Sequence, residues 1–145
     1  MDASGHKRWL RVVILLGAVY LVAGITFGAL AGWAASNQMR ITWRLAAWLT
    51  SAVALAAHIW HERFRLGNSP LTTALHASLA AALGAFGLAV AANLHAHWAA
   101  SGNQRLLALA LVAFPTVTAV PAFVVALVVA AFLARTRRRG YRRPS

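Results

Sequence analysis

Residues 12–39 read VVILLGAVYLVAGITFGALAGWAASNQM, a run between Arg11 and Arg40 without a charged side chain. A helix rises about 1.5 Å per residue, so roughly 20 apolar residues cross a hydrocarbon core of about 30 Å. Three more uncharged runs follow, at 45–61, 66–104 and 106–134. We therefore predict an all-α integral membrane protein with four transmembrane helices, the second run being the shortest.

Turn residues divide the chain into these helices. The polar triplet at 36–38 and the Gly-Asn-Ser-Pro sequence at 67–70 are typical of loops. Short loops make successive helices antiparallel neighbours, which predicts an up-down-up-down bundle in one membrane domain. The predicted helices cover about 9–35, 42–60, 71–100 and 106–134, and a basic tail occupies 135–145.

The position of the basic residues predicts the orientation of this bundle. The sequence is 61% apolar with a formal net charge of +12, and only Arg40, Arg44 and Arg105 fall on one side of the predicted helices. The N-terminus, the second loop and the tail hold the other eleven: Lys7, Arg8, Arg11, Arg63, Arg65, Arg135, Arg137, Arg138, Arg139, Arg142 and Arg143. Positive charge collects on the cytoplasmic side, so we predict that both termini are cytoplasmic. Since topology accounts for the charge, nucleic acid is not expected as a partner.

The amino-acid composition indicates where the protein is located and limits the reactions that its side chains could catalyse. An alanine-rich chain whose basic residues are arginine with a single lysine points to a bacterial inner membrane. Without cysteine, and with only Asp2 and Glu62 as carboxylates, the chain offers no thiolate metal site and no catalytic triad. The segment His58-x-x-His61-Glu62 could place two histidines and a carboxylate on one helix face, but a salt bridge from Glu62 to its neighbouring arginines or a lipid-headgroup contact is the favoured interpretation. We expect neither an enzyme nor a metal site.

Glycines spaced along two helices predict close helix packing. The first helix carries Gly24, Gly28 and Gly32 four residues apart, with Gly17 one heptad before Gly24, and the third helix carries Gly84 and Gly87. Small residues at this spacing let helix backbones approach closely in lipid. The glycine faces are expected to pack within the bundle, against another copy or against another membrane subunit.

Histidines supply the candidate cofactor ligands. His58, His76 and His95 each follow a small residue by one helical turn, at Ala54, Thr72 and Ala91. Imidazole ligates haem iron, so these three histidines are candidate axial ligands for haem b or a chlorophyll-type pigment. Small and polar side chains also form a stripe on helix two and another on helix three, and we expect these stripes to face each other because polar groups avoid lipid.

Two further features concern the fourth helix. Pro115 and Pro121 each remove a backbone donor and are expected to bend the helix, by default as a structural kink and alternatively as a hinge or part of a transport pathway. Arginines after the helix are predicted to bind anionic lipid at the cytoplasmic face: Arg135, Arg137, Arg138, Arg139, Arg142 and Arg143.

Three functions remain open at this point. The first is a non-enzymatic accessory or assembly subunit that packs against other membrane subunits through its glycine faces. The second is a haem or pigment carrier that uses the histidines. The third is a small oligomeric channel or transporter, with the helix-four prolines acting in gating.

Overall fold

The computed structural model describes residues 3–99 and 102–140, and this part of the chain is almost entirely helical. Four α-helices follow one another: α1 (Ala3–Gly32), α2 (Asn37–Trp60), α3 (Pro70–Trp98) and α4 (Gln104–Gly140). A π-helical segment, the π-turn (His61–Arg65), extends α2 by one wide turn. The prediction of an all-helical chain is confirmed.

Three stretches are long and apolar enough to cross a membrane: Trp9–Gly32, Pro70–Trp98 and Gln104–Thr136. α2 does not reach the same mean hydropathy, because Arg40 and Arg44 occupy its first two turns and its last turn contains His58. The sequence predicts four spans. In the described residues, three helices have the length and composition that a span requires, and α2 does not.

Local capping explains where α2 and α3 begin. The Ser36 hydroxyl accepts from the backbone N–H of Met39 at 3.2 Å, so α2 begins at Asn37, before its predicted start at about 42. The Ser69 hydroxyl accepts from the N–H of Thr72 at 3.1 Å, and proline occupies the first position of α3. Such caps satisfy N–H groups that a helix leaves unbonded at its start.

The ends of the other helices also differ slightly from prediction. α1 ends at Gly32 instead of about 35, and α4 continues past 134 to Gly140. The predicted end of helix three, at 100, lies outside the described residues. α4 continues as one helix through Pro115 and Pro121, while the hydroxyls of Thr116 and Thr118 donate to carbonyls one turn earlier.

α3 occupies the centre of the bundle, between α1 and α4. Its buried positions are nearly all small: Thr73, Ala74, Ala77, Ala80, Ala81, Gly84, Ala85 and Ala89. A helix that buries only small side chains lets its neighbours approach closely on two sides. The outward surface of the described helices carries large apolar side chains such as Leu15, Val22 and Val128, all of them well exposed. This surface is compatible with a small membrane protein.

α2 lies mainly along α1, and its last two turns, from Leu55 to Ile59, pack against α3 and α4. There Ile59 packs into a cluster with Ala74 and Ala77 of α3 and Ala126 and Ala130 of α4. The expected facing of the two polar stripes is therefore limited to this end, since Thr50 in the middle of α2 is exposed.

Glycines allow the contact between α1 and α3. A Cβ atom added to Gly84 would lie 2.5 Å from the Tyr20 Cβ and 3.1 Å from the Gly17 carbonyl oxygen, and one added to Gly17 would lie 3.0 Å from the Leu83 Cβ. Leu21 fills the space beside Gly87 in the same contact.

The six glycines predicted to form packing faces thus divide into two groups. Gly17, Gly84 and Gly87 lie in the contact between α1 and α3, and Leu88 covers Gly24. By contrast, nothing lies within 4 Å of a Cβ at Gly28 or Gly32.

We expect Gly84→Ala to destabilise the protein by about 2 kcal/mol, the usual cost of overpacking a close contact. The added methyl group would collide with the Cβ of Tyr20, which cannot move without shifting α1. Gly28→Ala is the matched control, because its methyl group meets open space and alanine favours a helix. Thermal unfolding in detergent measures both variants, and a Gly84→Ala midpoint equal to that of the control would contradict the close contact.

Candidate functional site

Glu62 is a buried carboxylate at the point where α2 meets α3. Its side chain is fully buried within the π-turn. The Nδ1 of His76 donates to Oε1 at 3.1 Å, and the side-chain amide of Asn68 donates to Oε2. Both carboxylate oxygens therefore have a donor, which is what a buried charge needs to be tolerated. The interaction joins the end of α2, the following loop and the second turn of α3.

The loop after α2 is shaped to bring Asn68 back to Glu62. The N–H of Leu66 donates to the carbonyl of His61 at 3.3 Å, which is the wide π-type spacing. Gly67 then has a φ of +67°, a conformation that side chains with a Cβ rarely adopt, and the N–H of Asn68 donates to the carbonyl of Glu62 at 3.1 Å. Arg63 donates from its guanidinium to the carbonyl of Asn68. π-Helical turns occur frequently at functional sites.

His76 also connects this region to α1. Its imidazole stacks on the indole of Trp9, with ring centroids 4.8 Å apart and planes inclined by 2°. The ring is thus held by a carboxylate at one nitrogen and by an aromatic face. α1, the π-turn after α2 and α3 all contribute a side chain to this arrangement.

His58 lies one helical turn before Glu62 and is only 3% exposed. Neither ring nitrogen has a hydrogen-bond partner among the described residues, and the same holds for the buried hydroxyl of Thr73 on α3. A buried donor without a partner costs about 1–3 kcal/mol. His58, Glu62, Thr73 and His76 form the polar cluster, the four buried or nearly buried polar residues of the α2–α3 junction.

The structure separates the three predicted tetrapyrrole ligands into two groups. His58 and His76 belong to the polar cluster, whereas His95 is exposed near the other end of α3. A carboxylate bonded to a histidine Nδ1, as at His76, is the arrangement that orients histidine ligands of metals. Ile59 packs directly against α3 next to His58, so a macrocycle at this level would require the helices to separate.

The salt bridge expected from Glu62 to its neighbouring arginines does not form in the described residues. Glu62 is directed inward to His76 and Asn68, and Arg63 uses its guanidinium on the Asn68 carbonyl instead. His61 is exposed, whereas His58 and Glu62 are buried, so the three side chains do not share one buried face. Within the described part of the chain no three histidine or acidic side chains are placed to hold a metal ion.

Sequence reasoning missed Asn68 and the ring stacking of Trp9 on His76, whereas Thr73 belongs to the polar stripe that the sequence predicts on helix three. Asn68 had a signal, since it follows Gly67 in a turn shortly after Glu62, the one carboxylate between the predicted spans. The contact of Trp9 had none, because it depends on how α3 and α1 pack.

A second feature lies toward the other end of the bundle. The α1–α2 groove is a cavity of about 540 Å³ lined by Gly24, Phe27, Gly28, Ala31, Gly32, Arg40, Arg44, Ala47 and Trp48. Phe27 and Trp43 help to hold α1 against α2 there, with ring centroids 6.2 Å apart. The groove contains the two glycines that the bundle leaves uncovered, and Trp48 on its wall is 77% exposed.

No family model, curated protein or solved structure matches this chain. Any function must therefore be argued from the polar cluster and the α1–α2 groove.

We expect Glu62→Ala to destabilise the protein by about 2–4 kcal/mol, because His76 and Asn68 would both lose their acceptor inside the bundle. His76→Ala combined with Glu62→Ala should cost at least about 1 kcal/mol less than the sum of the single variants. Thermal unfolding in detergent provides all three values.

His61→Ala is the control, since this neighbour in the π-turn is exposed and should leave the unfolding midpoint unchanged. Strict additivity of Glu62→Ala and His76→Ala would show that the pair contributes no coupling.

Proposed function

We propose that this chain is a small non-enzymatic protein of a bacterial inner membrane that acts as an accessory or assembly subunit. Its α1–α2 groove would bind a helix of another membrane protein. One observation supports this proposal most directly. Of the six glycines predicted to form packing faces, four are covered within the bundle, while Gly28 and Gly32 face an open groove. Glycines four residues apart form the surface against which a second helix packs in lipid.

The proposal includes α2 as a fourth span. Trp43, near its start, packs against Phe27 close to the end of α1, and Glu62 just after its end meets His76, the partner of Trp9 near the start of α1. α2 therefore runs antiparallel to α1 along the bundle, and its 24 residues cover about 36 Å at 1.5 Å each. Its length and its position alongside α1 support the proposal that α2 crosses the membrane as a fourth span.

Four crossings also agree with the charges. They place the N-terminus, the loop after α2 and the arginine-rich tail on one side, which supports cytoplasmic termini. Arg135 is exposed near the end of α4, where anionic headgroups would meet it. The side chains of Arg137, Arg138 and Arg139, and all of Arg142 and Arg143, lie outside the described part of the chain.

A cysteine-labelling experiment tests this topology, since the chain has no cysteine of its own. We expect Ala35→Cys and Gln104→Cys to react with a membrane-impermeant maleimide on intact spheroplasts, and Thr136→Cys to react only after permeabilisation. All three positions are exposed. If α2 did not cross, α3 and α4 would be inverted, so that Thr136→Cys would react on intact spheroplasts and Gln104→Cys would not.

Purification in a mild detergent tests the accessory role. The wild-type protein should retain a stoichiometric membrane subunit, and Gly28→Leu should release it by filling the groove. Ala18→Leu adds the same side chain to an exposed position of α1 outside the groove and should retain the subunit. Native mass spectrometry measures the complexes, and a lone monomer from wild type would contradict the proposal.

The pigment hypothesis keeps one specific support, the two unpaired ring nitrogens of buried His58. A haem b or chlorophyll-type ligand would give a Soret or Q-type absorption band in the same preparation. Such a band, lost in His58→Ala, would replace the accessory role by a carrier role.

A further inference from the structure

The α1–α2 groove contains two positive charges without counter-ions. Arg40 and Arg44 are one helical turn apart on α2, and both line the groove. Neither forms an ion pair within the described residues. The remaining wall is glycine, alanine, phenylalanine and tryptophan, so nothing else in the groove neutralises them.

Filling this groove would remove water from the two guanidinium groups. Burying an unpaired charge is costly, whereas a guanidinium paired with a carboxylate through two parallel hydrogen bonds is well accommodated. The occupant of the groove must therefore bring an anionic group to the level of Arg40 and Arg44. Arg40 lies in the first turn of α2, where the helix dipole adds positive potential.

A second copy of this chain does not provide that group. The sequence has two carboxylates, Asp2 and Glu62. Glu62 is fully buried and bonded to His76 at the opposite end of α2 from the arginines. Asp2 precedes α1, whose other end forms the groove. Copies inserted with the same orientation would place neither carboxylate beside Arg40 and Arg44.

The shape of the groove favours a helix over a lipid chain. Its glycine floor runs from Gly24 to Gly32, which is about 12 Å or two turns of α1. Leu88 of α3 closes the floor at Gly24. Two turns of small residues are what a helix covers when it crosses another at close range.

We infer that the α1–α2 groove binds a transmembrane helix of a different protein, and that this helix carries an aspartate or glutamate paired with Arg40 and Arg44. The inference rests on the proposed accessory function and specifies the chemistry of the partner. It places the contact on the non-cytoplasmic side of the proposed topology.

A purification experiment in two arms tests the inference. The first arm removes the charges or fills the groove, and the second swaps the charges. The wild type, Gly28→Leu, Arg40→Gln/Arg44→Gln and Arg105→Gln are each purified from the membranes of the source organism in a mild detergent, and native mass spectrometry quantifies the retained subunit. Arg105→Gln is the control, because it removes an exposed arginine from the same side without touching the groove. We expect the glycine variant and the double arginine variant each to lower retention about tenfold, and Arg105→Gln to retain the wild-type amount.

The second arm uses the subunit identified in this way. Its sequence should contain a transmembrane helix with Asp or Glu at the matching end, and replacing that residue by Arg should restore binding to the Arg44→Glu variant. Restoration by the swap would establish the ion pair.

The outcomes separate the two levels of the proposal. If Gly28→Leu releases the subunit and the arginine variant does not, the ion pair is wrong and the accessory function stands. If neither variant releases it, the groove is not the docking site, so the inference and the groove contact of the accessory proposal both fail. A phospholipid that remains bound to the wild-type protein and is lost in the arginine variant would identify lipid as the occupant and overturn the inference.

Discussion

The arrangement of this bundle depends on how closely α1 and α3 can approach. At Gly17 and Gly84 a single added Cβ would collide with the backbone or the Cβ of the facing helix. Helices as apolar as these gain little from hydrophobic association if they lie in lipid, where contact between closely packed backbones holds helices together. The alanine-rich face of α3 extends the same principle toward α4.

That contact determines where α2 can lie. Because α1 occupies one side of α3 and α4 occupies another, α2 lies along α1 and returns to α3 only at its end. The α1–α2 groove follows from this placement, since the last two glycines of α1 extend beyond the part that α3 covers. α1 thus has a glycine face that α3 covers and, further along, an uncovered one beside the two arginines of α2.

At the opposite end, Glu62 connects α2 to the following loop and to α3, with which α2 otherwise makes few contacts. His76, Asn68 and the stacked Trp9 give this end three side-chain contacts from three parts of the chain. A carboxylate satisfied in this way is a structural connection between α2, the following loop and α3. His58 is the nearby histidine whose ring nitrogens the described residues leave unbonded.

The sequence by itself determined the helical class, the approximate helix bounds and the asymmetry of the basic residues, because the length of an uncharged run and the position of a charge are local properties. It also indicated which residues could act, among them the glycines and histidines. Only the tertiary structure decided which glycines are covered, that Glu62 pairs with His76 instead of the adjacent arginines, and that the α2 stripe meets α3 at one end. Those outcomes depend on which helix occupies the limited space beside α3, and local sequence does not encode that competition.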